Sequence, residues 1–255
     1  AVYAEDETRA LHVRHADETW ALTGSGARAY LDADAMVRAA RESACDAIHP
    51  GYGFLSENGD FARKCIAGGL IFVGPRPEIL DQFGDKVRAR SIAAGVGVPI
   101  LGGTGGTDDV NSARAFMASL PEGGQMIIKA VAGGGGRGVR IVDADTDLGD
   151  MMTRAAAEAE SAFGNGALYV ERYLPHARHI EVQIVGDGSG HVAHLGERDC
   201  SIQRRFQKII EIAPSPRLDA NNRAAICAAA VRIAESVKYD NVGTMEFLVS
   251  EDGSE

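Results

Sequence analysis

The stretch IIKAVAGGGGRGVRIV, residues 127–142, decides how this chain is read. It places Lys129, four consecutive glycines (Gly133, Gly134, Gly135 and Gly136), and then Arg137 and Gly138 between two short apolar runs. Ile127-Ile128 and Val139 to Val142 read as two strands joined by a glycine-rich loop. Glycine loses more conformational freedom on folding than any other residue, so a run of four needs a reason. Close approach of bare backbone N–H groups to an anion supplies one, and Lys129 and Arg137 add positive charge at the same place. A surface hairpin tip is the blander alternative. The P-loop pattern is excluded because Gly-Lys-Ser/Thr and a following helix are missing. The dinucleotide fingerprint is excluded because this loop opens a strand rather than a helix.

Outward from the loop, the chain alternates elements. Residues 1–75 carry strand signals at Ala1 to Tyr3, Asp46 to Ile48 and Leu70 to Val73, with helical stretches at Asp32 to Ser43 and Glu57 to Ala67. That alternation predicts a parallel sheet. Residues 76–100 form a linker with one helix over 78–95, and the glycines around 102–106 punctuate a boundary. Residues 101–173 predict a small α+β domain around the loop, ending in a strand over Ala167 to Glu171. Residues 174–255 open with a hairpin over 178–194, in which Ile180, Val182 and Ile184 alternate with polar residues. They continue with a helix over Leu218 to Val237, N-capped by Asp219.

Composition bounds the function. The 255 residues carry a net charge of −10, which argues against general nucleic-acid binding, a process dominated by phosphate neutralisation. A local basic pocket can still hold a nucleotide. Cys45, Cys65, Cys200 and Cys227 are widely spaced, without metal-site spacing, and read as reduced thiols of a cytoplasmic protein. No apolar run reaches membrane-spanning length, so no membrane partner is expected. The opening AVYAED and the closing single strand GTMEFLVSEDGSE suggest part of a longer polypeptide.

Several segments together carry a resemblance. HPGYGFLSEN (49–58), GDKVRAR (84–90), the glycine loop, VERYL (170–174), RHIEVQ (178–183), ERDCSIQRRFQKIIE (197–211) and GTMEFL (243–248) resemble the biotin carboxylase component of biotin-dependent carboxylases, over the whole chain and in order. The resemblance implies a mixed α/β and α+β fold. It comprises a Rossmann-like N-terminal domain, an ATP-grasp lid and a partial C-terminal ATP-grasp domain. It also implies ATP-dependent carboxylation of biotin by bicarbonate via carboxyphosphate, the first half-reaction of a biotin-dependent acyl-CoA or related carboxylase. The implied cofactors are ATP, Mg2+ or Mn2+, and biotin on a carrier domain. A carboxyltransferase component and a homo-oligomer follow from the same resemblance.

By resemblance, Lys86 and Lys129 contact phosphate, and Gly133 to Gly136 with Gly138 form the lid loop. Glu171, Arg172 and Leu174 match the adenine hinge, where backbone groups read the base. His179 and Gln203 match ribose or phosphate contacts. Lys208 matches a catalytic lysine near bicarbonate, and Glu246 the first of two magnesium carboxylates. Phe206 stands where many members have histidine, and Ile212 where a second glutamate is common. The family's second metal carboxylate and its general base are expected beyond Glu255. Two rivals share these features: a carbamoyl-phosphate synthetase-type ligase, and a nucleotide-binding module without catalysis.

Overall fold

The computed structural model describes residues 1–106, 109–132 and 138–250. The chain divides into two compact units, residues 1–82 with 240–242, and residues 83–239 with 243–255.

In the first unit, β1 (Val2–Ala4), α1 (Leu11–His15) and β2 (Trp20–Leu22) precede a 3-10 turn and α2 (Ala33–Glu42). β3 (Ala47–Ile48), α3 (Gly59–Ala67), β4 (Ile71–Phe72) and α4 (Pro77–Gly84, which runs across the division) follow. The expected parallel pairing is present as two short ladders, β1 with β2 and β3 with β4. Asp32 and Asn58 cap α2 and α3 by accepting from the backbone N–H three residues on. The two helices bury Ala40, Phe61, Ala62 and Cys65 against Leu70 and Phe72. The Phe61 and Phe72 rings meet edge-on at 5.9 Å, a geometry favoured by their quadrupoles.

The single helix expected over 78–95 is two. α4 stops at Gly84, and α5 (Lys86–Gly95) starts afresh because the Asp85 side chain takes the Arg88 N–H at 3.0 Å. An aspartate that satisfies an orphan donor favours a new helix start over continuation.

The rest of the second unit has a three-stranded and a four-stranded sheet, with helices. α6 (Val110–Ser119), β5 (Met126–Ala130), β6 (Arg140–Val142), α7 (Leu148–Phe163) and β7 (Leu168–Arg172) form a three-stranded sheet, in the order β6-β5-β7, with helices packed on one face. Met126, Ile128, Val142, Leu168 and Val170 point to that face and meet Met152 and Ala155. Register pairs Met126 with Val142 and Ile128 with Arg140, so the glycine loop does join a hairpin. Gly138, at φ +69°, returns the chain into β6, where a Cβ would touch Ala130 and α7. α7 ends on Gly164 in the left-handed conformation, with its N–H on the Glu160 carbonyl.

β8 (Arg178–Asp187), β9 (Val192–Arg204), β10 (Gln207–Ile212), α8 (Ala220–Ser236) and β11 (Asp240–Val249) complete the chain, with sheet order β10-β9-β8-β11. The hairpin over 178–194 and the Asp219 cap of α8 match expectation. A second hairpin does not. β9 runs on to Arg204 and turns through Arg205 (φ +52°) and Phe206 (φ +63°) into β10. Two positive φ values in a two-residue turn match the primed turns that suit strand twist.

Candidate active site

Strand alternation sorts the functional side chains. On β5 and β7 the helix-packed face takes Met126, Ile128, Leu168 and Val170, which leaves Lys129, Tyr169 and Glu171 on the other. Register pairs Lys129 with Tyr169 and Ile127 with Glu171, so Lys129 and Glu171 are diagonal neighbours on one face. They form an ion pair. Glu171 is only 4% exposed, and its other oxygen accepts from Arg90 of α5 at 2.6 Å. The Arg90 guanidinium also donates to the Leu101 carbonyl and lies 5.9 Å from the centre of the Tyr169 ring. Burial, and then the Glu171 charge, push the Tyr169 hydroxyl far above the usual tyrosine range, so it stays protonated.

Lys86 opens α5, and its backbone N–H bonds the Val131 carbonyl at 3.1 Å, two residues past Lys129. The two lysines predicted to contact phosphate are therefore brought to neighbouring backbone. The glycines after α5 have a packing role. Gly103 bridges to Glu171, Thr104 N–H donates to the Val170 carbonyl at 2.8 Å, and Arg172 N–H donates to the Gly102 carbonyl at 2.8 Å. A Cβ on Gly103 would stand 2.6 Å from the Val170 oxygen, which explains the glycine. Gly133, Gly134, Gly135 and Gly136 lie outside the described residues.

Lys208, on β10, donates to both Glu181 of β8 and Glu246 of β11. Burial alone would lower its pKa, but these two hydrogen bonds and the charges behind them carry it above the ordinary lysine range, so it is a permanent cation. Glu181 is 5% exposed. Burial raises its pKa, yet Lys208 and Arg198 outweigh that and hold the carboxyl below the ordinary value. Arg198 continues the network to the Gln183 side chain at 3.0 Å. His179 sits half-buried beside this cluster. Burial lowers its pKa, Glu246 opposes that, and Lys129 and Lys208 add to it, which leaves the ring neutral near pH 7. Lys129, His179, Lys208 and Glu246 thus share one electrostatic neighbourhood. Gln203 bonds the Cys200 carbonyl at 2.9 Å, and Leu174 is half-buried just after β7.

The sequence reading missed Arg90, Glu181 and Arg198. Arg90 falls one helical turn after Lys86, a spacing that places both on one side of α5, whereas Glu181 is an ordinary polar position in the Ile180–Val182–Ile184 alternation and carried no signal of its own.

Residues 1–80 match the family model described as biotin carboxylase, N-terminal domain. Residues 85–255 match the model described as carbamoyl-phosphate synthase L chain, ATP binding domain. The chain belongs to the biotin carboxylase family. It is 47% identical over 256 residues to pyruvate carboxylase of Staphylococcus aureus, covering 99% of this chain and 22% of that protein. It is 48% identical over 257 residues to mitochondrial pyruvate carboxylase of Rattus norvegicus, again with 99% and 22% coverage. The chain therefore spans about a fifth of the length of these relatives. Among solved structures, a Campylobacter jejuni biotin carboxylase–β,γ-ATP complex superimposes with a TM-score of 0.92 at 40% identity, over 99% of this chain and 57% of that one. The biotin carboxylase domain dimer of the Hydrogenobacter thermophilus 2-oxoglutarate carboxylase, in complex with MgADP, ADP and bicarbonate, gives 0.91 at 42% identity, over 100% and 56%. The ATP-grasp fold expected from the sequence is the fold found.

The donor sets discriminate between metal sites. Glu246 offers hard oxygens on a largely exposed side chain, which suits magnesium or manganese completed by phosphates and water. Glu181, Cys200 and Glu211 also approach one another within 4.8 Å. They do not fit such an ion, because Glu181 is committed to Lys208 and Arg198 and burial pushes the Cys200 thiol up to about 11. Among the described residues no helix is long and apolar enough to cross a membrane.

Proposed function

We propose that this chain handles ATP and bicarbonate in the biotin carboxylase half-reaction of a biotin-dependent carboxylase. The observation that carries the reading is Lys208 held between Glu181 and Glu246 on one sheet, with Lys129 paired to the buried Glu171 on the other. Backbone groups of Glu171, Arg172 and Leu174 receive adenine, while Lys86 and Lys129 neutralise phosphates as point charges. His179 and Gln203 contact ribose or phosphate, and the glycine run 133–136 with Gly138 keeps the lid-loop role that the resemblance implies. Lys208, a fixed cation, orients bicarbonate. Glu246 would hold magnesium, which would supply charge neutralisation for the phosphates. The bicarbonate oxygen attacks the γ-phosphorus in line as ADP leaves, giving carboxyphosphate. Its carboxyl group would pass to the biotin ureido nitrogen as the C–O bond to phosphate breaks, with the released phosphate taking the ureido proton.

In this reading residues 1–75 form the Rossmann-like domain, 76–100 a linker, 101–173 the lid and 174–255 the C-terminal part. Biotin arrives on a carrier domain and leaves to a carboxyltransferase. The protein works as a cytoplasmic homo-oligomer, although relatives include mitochondrial enzymes. The N-terminal family match favours this reading over a carbamoyl-phosphate synthetase. The test is ADP release by the full-length protein with MgATP, bicarbonate and free biotin. Bicarbonate-dependent hydrolysis with slow biotin carboxylation is expected. Turnover that needs ammonia or glutamine, or none at all, would overturn the reading.

A further inference from the structure

The Glu171 carboxylate is buried and shared between two cations. Arg90 takes one oxygen at 2.6 Å and Lys129 takes the other. Arg90 is not free to serve anything else. Its second nitrogen is held by the Leu101 carbonyl, and its plane rests near the Tyr169 ring. Among the described residues Lys129 has no second ion-pair partner, and its side chain is 23% exposed, close to the 19% of Arg90. The cluster therefore holds two positive charges against one negative, and the lysine is the cation held by fewer bonds.

We infer that Arg90 is a positioning residue for nucleotide binding, keeping Glu171 satisfied so that Lys129 can turn to phosphate. The inference rests on the proposed role of Lys129 as a phosphate contact. Without Arg90, Lys129 becomes the ionic partner on which Glu171 depends. It could then reach phosphate only by leaving a buried carboxylate unpaired, which is strongly unfavourable. Arginine suits the task because its fork bonds the carboxylate and a carbonyl at once while remaining charged. A purely structural role, joining α5 to β7, would instead disturb the adenine hinge and every ligand that uses it.

The experiment is calorimetry on the full-length protein with ATP and with adenosine, which lacks phosphates. Arg90→Gln is expected to weaken ATP about ten- to hundredfold and adenosine by less than about threefold. In a Glu171→Gln background, Arg90→Gln should change ATP affinity by less than about threefold, because no carboxylate remains to capture Lys129. Equal losses for ATP and adenosine would overturn the inference, as would a tenfold ATP loss that persists beside Gln at 171. If Arg90→Gln alone does not fold, the comparison of Glu171→Gln with the double variant carries the same test. A wild-type protein that binds no ATP sinks the proposed function together with this inference. A wild-type protein that binds ATP and an Arg90→Gln variant that binds it equally well sink this inference alone.

Discussion

Replacing Lys208 with methionine separates the chemistry of the site from its stability. The ammonium satisfies Glu181, which is buried, and Glu246, which is largely exposed. Losing one partner of a buried ion pair commonly costs about 3–5 kcal/mol. Here Glu181 keeps Arg198, and Glu246 is solvated, so the stability loss should fall to about 1–3 kcal/mol. For a unit of this size that is a Tm drop of about 3–10 °C by calorimetry, with a folded protein at 25 °C. Activity should suffer more. A charge-assisted contact to a bound anion is worth about 1.5–3 kcal/mol, or roughly ten- to more than hundredfold in kcat/KM for bicarbonate. Bicarbonate-dependent ADP release by the full-length protein, measured against bicarbonate concentration, reads this directly. A folded variant with wild-type kcat/KM for bicarbonate would refute the placement of Lys208 at that substrate. A Tm unchanged within about 1 °C would refute the claim that it neutralises Glu181.

Three further outcomes are expected. Glu197 is buried, with Arg223 at 2.8 Å and the Ser215 N–H at 3.0 Å. Burial raises its pKa, but Arg223 and backbone donors hold it below the ordinary 4.5. A depressed folded pKa stabilises above the unfolded value and loses that contribution as pH falls, so Glu197→Gln should lower Tm at neutral pH by an amount that shrinks below about pH 4.5; a constant gap would contradict this. Phe206 holds φ +63° in the β9–β10 turn, so Phe206→Gly should raise stability by about 0.5–1 kcal/mol in denaturant unfolding, and a loss would show the ring makes a compensating contact. Cys45 is exposed, whereas burial pushes the Cys65 and Cys200 thiols up to about 11; native thiol titration near pH 8 should show one fast-reacting cysteine, and two or more would contradict the buried environments.

Much of the fold was legible because the signals were local. The glycine loop between apolar runs announced the β5–β6 hairpin, and Asp219 announced α8. The break at Asp85 was harder, since a capping aspartate inside a helical pattern competes with continuation on nearly even terms. β10 was missed because Ile209, Ile210 and Ile212 are all substantially exposed and show no alternation to read. Site residues given by resemblance were placed by their motifs. Glu181 and Arg90 were not, because their meaning lies in their partners. Arg90 and Glu171 are 81 positions apart, and only strand register and the placement of α5 bring them together.

β11 has a consequence for how the chain comes to be folded. Its first three residues, Asp240 to Val242, belong to the N-terminal compact unit, and the remainder to the other. Asp240 receives the Arg76 backbone N–H at 3.1 Å and its guanidinium at 3.1 Å. On a ribosome adding about 5–20 residues per second, Asp240 is made some 8–30 s after Gln82. During that interval the nascent N-terminal unit lacks the bonds that Asp240 makes to Arg76, while the intervening unit is still being made. Completion of the first unit is thereby tied to near-completion of the second. A chaperone that shields the emerging segment would act longest here, and a translational pause placed before Asp240 would prolong the vulnerable state.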